Sequence, residues 1–147
     1  MPHECVIDTT ILQKANALLT REPRERSLFV RRLRLLQRIA NAELTVLISK
    51  KLLAEYREQL PEPRNDTVEV FFALIDDPSR AVHNWKKRWS GSDREKARRC
   101  RYPMEDDHVL RTALRPNAST IFSEEKRMLA ADECIYLNFR VHIRGLP

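Results

Sequence analysis

Residues 105–129 read EDDHVLRTALRPNASTIFSEEKRML, two helix patterns with a short strand between them. Helical spacing begins at Met104 and runs through Leu114. Ser119 to Phe122 (STIF) reads as a strand, and Ser123 is a good cap for a helix from Glu124 to Ala131. An acidic residue stands where each helix begins, Asp106 at the first and Glu125 at the second.

Upstream, the same arrangement occurs twice more. VIDTTIL (6–12) is a short apolar run, as expected of a buried strand, with Asp8 at its carboxyl end and a helix beginning directly after it. VLISKKLLAEY (46–56) completes the strand Leu44 to Ile48, caps with Ser49, and continues as a helix to Leu60 that carries Glu55. Between these, Pro23 breaks the pattern in a turn, and Ser27 to Ile39 has helical spacing with a basic outer face of Arg31, Arg32, Arg34 and Arg38. A further helix is expected from Asp66 or Thr67 to Ile75, and CIYLNF (134–139) reads as a fourth strand. The stretch from Ser79 to Pro103 is basic and ambiguous. Strands alternating with helices predict an α/β fold, a central mostly parallel sheet with helices on both faces, whose sites form beyond the strands' carboxyl ends.

The chain has 147 residues, enough for a single domain over 1–147 and too few for two. Its net charge is +6 and its pI about 9.5, which favours a polyanionic partner, nucleic acid above small neutral substrates. The longest apolar run, VFFALI at Val70 to Ile75, falls far short of a membrane span. Cys5, Cys100 and Cys134 are odd in number and show no zinc-type spacing, so reduced thiols in a cytoplasmic protein are expected. With glycine only at Gly91 and Gly145, a phosphate-cradling loop is excluded.

Asp8, Glu55, Asp106 and Glu125 make sense together as a carboxylate-only metal site. Converging carboxylates repel and raise one another's pKa unless a hard divalent cation lies between them, and all-oxygen ligands suit Mg²⁺ or Mn²⁺. Taken singly, acids in a helix's first turn are favoured by the helix dipole, which would account for Asp106, Asp107, Glu124 and Glu125 without metal. Asp8, directly after a buried strand, has no such propensity reason.

On these segments the chain resembles the PIN domain nucleases, especially the short single-domain members that act as toxins of toxin–antitoxin pairs. VIDTTIL is similar to that family's first strand ending in Asp and Thr, and LISKKLLAEY to its second strand, serine and acid-bearing helix. The long segment 105–129 fits its pattern of Asp, Thr and Ala, then strand, hydroxyl residue and acid. The resemblance implies a three-layer PIN-like fold and metal-dependent endoribonuclease activity. It implies Asp8, Glu55, Asp106 and Glu125 as catalytic metal-binding acids, with Ser123 as the residue that positions the last of them; Asp107 is the alternative to Asp106, which the register of Thr112 and Ala113 favours. It also implies RNA as substrate, an antitoxin protein as partner and a homodimer. Two departures stand out: Glu125 and Ser123 occupy positions where the family commonly has Asp and Thr. The alternative is a catalytically weak PIN-like module that binds RNA or protein.

WKKRWSGSDREKARRCRY (85–102) adds Lys86, Lys87, Arg88, Arg98, Arg99 and Arg101, with Trp85, Trp89 and Tyr102 as planes for stacked bases. The competing reading has the tryptophans anchoring a helix and the cations solvated. Lys50 and Lys51 are further candidates for guiding an anionic strand.

Overall fold

A computed structural model describes residues 2–18, 21–84 and 89–147. Five parallel strands, β1 (His3–Ile7), β2 (Leu44–Ile48), β3 (Ala81–His83), β4 (Ser119–Phe122) and β5 (Val141–Arg144), form one sheet in the order β3-β2-β1-β4-β5. The expected α/β architecture is present, and the sheet is parallel throughout.

Helices α1 (Thr9–Ala15) and α2 (Pro23–Ala40) join β1 to β2, and α3 (Lys50–Gln59) and α4 (Asp66–Ile75) join β2 to β3. From β3 the chain passes through α5 (Gly91–Arg99), a single 3₁₀ turn over Met104–Asp106 and α6 (Asp107–Ala113) to reach β4. It then passes through α7 (Lys126–Ala130) and α8 (Asp132–Phe139) to β5. The first two crossovers step one way along the sheet from β1, and the last two step the other way. Because such crossovers are right-handed, the two sets of helices cover opposite faces, giving three layers. The direction reverses between β1 and β4, so the loops leaving these neighbouring strands diverge and open a crevice at their carboxyl ends.

The core is filled by the strands and the helix stripes facing them: Val6, Ile7, Val46, Leu47, Ile48 and Ile121 are fully buried, as are Ile11, Leu12, Leu52 and Val109. Pro23 starts α2 rather than interrupting it. Its fixed φ and missing N–H suit the first helical position, and Glu22 caps the Arg24 and Glu25 amides.

Two sequence expectations are corrected here. CIYLNF belongs to helix α8, not to a strand: Ile135 is buried while Leu137 is 76% exposed, and Phe139, four residues on from Ile135, packs against the core. The fifth strand lies just after it, where Val141 and Ile143 point inward and His142 and Arg144 outward, the period of two that marks a strand. The cysteines are not all reduced. Placing Cys134 on a helix brings it to Cys100 at the end of α5, and the two form a disulfide with Cα atoms 5.4 Å apart. Cys5 is free and buried, and burial pushes its thiol up to about 12. Among the described residues, no helix is long and apolar enough to cross a membrane.

Candidate functional site

β1 and β4 pair in a register that sets Ile7 beside Phe122, so Asp8 and Ser123 leave the sheet side by side. The Asp8 amide bonds to the Phe122 carbonyl at 3.0 Å. Asp8 is 5% exposed and Ser123 fully buried. Ser123 Oγ donates to Asp8 Oδ2 at 2.8 Å and accepts the Glu125 amide at 3.0 Å. One hydroxyl thus fixes the first acid and the backbone of the last.

Asp8, Asp106 and Glu125 each occupy the position just before a helix, α1, α6 and α7, and none of the three side chains makes a capping bond. Their charges bear on one another instead: Glu125 acts on Asp8, and Asp8 and Glu125 act on Asp106. Burial raises the Asp8 carboxyl; the Ser123 bond works against this, and the charges of Glu55 and Glu125 add to it. Asp106 is pushed up to about 7, first by burial and then by the charges of Asp8 and Glu125. A side-chain hydrogen bond with Glu125 further favours the protonated form. Tyr102, itself buried, donates to the Asp106 carbonyl at 2.7 Å and fixes the turn before α6.

Glu55 projects from α3 toward the same crevice. Thr9 Oγ1 donates to its Oε1 at 2.5 Å, and its Oε2 faces His108 Nε2 on α6. At the outer rim, Arg127 pairs with both Glu125, at 3.1 Å, and Glu105. The acids named from the sequence therefore share one electrostatic neighbourhood at the reversal of strand order. Their donor set is entirely carboxylate oxygen, which matches a hard divalent cation in chemistry. Among the described residues, however, no three His, Cys, Asp or Glu side chains are gathered into one ion's ligand shell.

The basic candidates divide. Lys50 and Lys51 open α3 and line a pocket of about 180 Å³ beside His108. Arg98 and Arg99 are exposed on α5 and pair with Glu95. Arg101 is exposed just beyond that helix, in the left-handed backbone region at φ 60°. Lys86, Lys87 and Arg88, with Trp85, lie outside the described residues. Tyr102 is no stacking platform, because its ring is in the core. Trp89 stacks on Phe139 with ring centroids 6.1 Å apart, which favours the anchoring role.

Four partners went unread in the sequence. Thr9 and His108 orient Glu55, and Arg127 holds Glu125. The fourth is Arg32, expected on a basic outer face but only 2% exposed. It grips Glu124 through two bonds of 2.8 Å, which draws the Glu124 carboxyl below its usual range and fastens the β4–α7 loop to α2. A signal existed: position 32 falls on the stripe of Leu28, Leu35, Leu36 and Ile39, where an arginine must be buried and paired.

Comparison of the chain with protein-family models, with curated proteins and with solved structures gives no match.

Proposed function

We propose that this chain is a metal-dependent endoribonuclease that hydrolyses RNA phosphodiester bonds. The observation carrying this reading is the joint placement of Asp8 and Glu125 by Ser123 at the reversal of strand order, with the charges of both raising the Asp106 carboxyl beside them. Acids arranged to repel one another are costly to a fold and useful to a site that takes up positive charge. Asp8 and Asp106 are the core ligands for Mg²⁺ or Mn²⁺ in this proposal, with Glu55 and Glu125 completing the shell directly or through water. Bound there, the cation would lower the pKa of its water and neutralise charge on the leaving oxygen.

The chain's own residues prepare the site. Ser123 keeps Asp8 in place, Thr9 and His108 set the two oxygens of Glu55, and Arg127 restrains Glu125 at the rim. The basic surface favours RNA as the substrate. A toxin role with an antitoxin partner, and pairing as a homodimer, belong to the same proposal and rest on the resemblance alone.

The second reading, a catalytically weak module that binds RNA or protein, is favoured by one observation: Glu125 and Glu55 already have cationic or imidazole partners. Two measurements separate the readings. A nuclease cleaves a mixed RNA pool with Mg²⁺ or Mn²⁺, stops on addition of EDTA, and is inactive as Asp8→Asn. It also shows a saturable Mn²⁺ site by calorimetry that Asp106→Asn removes. Cleavage no greater than that of Asp8→Asn, with no such Mn²⁺ site, leaves the binding module.

A further inference from the structure

Beside the acids, on the same two helices, lies a pocket of opposite character. It is lined by Ser49, Lys50, Lys51, Asn84, His108, Arg111 and Thr112 and has a volume of about 180 Å³, and among the described residues no carboxylate lines it. Such a space exceeds the ~30 Å³ share of a water molecule several-fold. Its floor is the amino-terminal end of α3, ten residues long, whose first free amides point out of the helix at Lys50 and Lys51. Ser49 caps the Leu52 amide and accepts a 2.7 Å bond from Thr112, which fixes this end of α3 against α6.

A helix start with two lysines is common and on its own identifies nothing. Two further groups give it direction. His108, a lining residue, is 6% exposed; its Nε2 is turned to Glu55, while its buried Nδ1 has no hydrogen-bond partner among the described residues. Arg111, in the last turn of α6, also keeps a buried Nε without an acceptor among the described residues, although its guanidinium lies over the Trp89 ring, 5.9 Å from the centroid. Buried polar groups are rarely left unpaired. Here a guanidinium, two ammonium groups and a helix start surround one space with a buried imidazole in its wall, and the three cations with the free amides call for an anion with several acceptor oxygens.

We infer that this pocket binds a phosphate group, and specifically one phosphodiester of a nucleic-acid strand whose neighbouring phosphodiester lies over the acids. The covalent layout carries the second part. Lys51 and Glu55 are four residues apart on α3, and Asp106 stands two residues before His108 at the start of α6. Acidic site and basic pocket are therefore successive stations along the same helix pair. That the strand is RNA rests on the nuclease reading; the anion pocket does not.

The test uses the full chain as Asp8→Asn in EDTA, where no cleavage occurs, and follows a fluorescein-labelled oligoribonucleotide by anisotropy over a range of NaCl. Lys51→Gln, on an exposed side chain, and Arg111→Gln are each expected to weaken binding about tenfold. Each should also reduce the slope of log affinity against log salt by about one. Arg24→Gln, an exposed cation at the start of α2, should leave both unchanged, and melting curves check that every variant is folded. Millimolar inorganic phosphate should compete with the strand in the parent and lose that ability in Arg111→Gln. Unaltered salt slopes in both pocket variants overturn the inference. Phosphate competition that Arg111→Gln abolishes, with strand affinity insensitive to Lys51→Gln, makes the ligand a free anion and overturns the strand assignment. Competition by an acidic peptide equal to that of RNA overturns it in favour of a protein partner. Because nothing here depends on turnover, absence of cleavage by the native chain would defeat the nuclease reading while leaving this result to stand or fall separately.

Discussion

Ser123 and Asp8, 115 residues apart in sequence, are joined by a 2.8 Å hydrogen bond inside the protein, and the same serine oxygen receives the Glu125 amide. Replacing it with alanine strands a buried carboxylate oxygen and a backbone N–H. Ser123→Ala is expected to lose about 1–3 kcal/mol of stability. If the acids bind metal, Mn²⁺ affinity should fall about ten- to a hundredfold, as when a ligand's supporting partner is removed. Urea titration and calorimetry measure the two effects. Wild-type values in both would show that the hydroxyl has no positioning role.

The Asp106 carboxyl makes stability pH-dependent in a particular sense. Its native value, about 7, lies above the ~3.9 of an unfolded chain. Below about pH 4 both states hold the proton and nothing is lost. Between about 4 and 7 the unfolded chain ionises first, so stability falls as pH rises, and above about 7 the full penalty is present. The loss should be about 1–2 kcal/mol once solvent screening at the rim of the site is allowed for. Urea midpoints in EDTA across this range, compared with Asp106→Asn, isolate it. The variant should lack this component, and millimolar Mn²⁺ should offset it in the wild type.

Glu124 behaves in the opposite way. Arg32 holds its carboxyl below the usual range, so the pair stabilises the fold above the unfolded carboxyl's ~4.3 and the benefit fades as pH falls through the native value. Removing Arg32 takes from the largely buried Glu124 carboxylate the guanidinium that pairs with it. Arg32→Ala is expected to cost about 3–5 kcal/mol, and the apolar double variant Arg32→Met/Glu124→Leu much less. Equal melting temperatures for the single variant and wild type would place Arg32 in solvent.

The Cys100–Cys134 link predicts a thiol count. Denatured, unreduced protein should react at one cysteine with Ellman's reagent, and at all three after reduction. The native protein should react at almost none, because Cys5 is buried with its thiol raised to about 12. Cys134→Ser should cost about 3–4 kcal/mol of stability under oxidising conditions and little under reducing ones.

Asp8 and Glu125 were legible because position along a βα junction is written locally. A strand, an acid and a helix start are consecutive residues in VIDTTIL and STIFSEE, and the parallel sheet then places such junctions at one end. Contacts made between elements were not legible. His108 meets Glu55 across 53 positions through the packing of α6 on α3, and nothing local to either residue announces it. CIYLNF misled for a different reason. An apolar run of six suits a buried strand as well as a helix, and only the exposure of Leu137 distinguishes them. The short β3, three residues following a turn, offers too little pattern to detect.

The order β3-β2-β1-β4-β5 has a consequence in time. β1 leaves the ribosome long before its sheet neighbour β4, which begins only at Ser119. Until Glu125 has been added, Asp8 has neither Ser123 nor Glu125 beside it, and the crevice has only one wall. A nascent fragment that stops short of β4 therefore carries the first acid without the partners that complete its site.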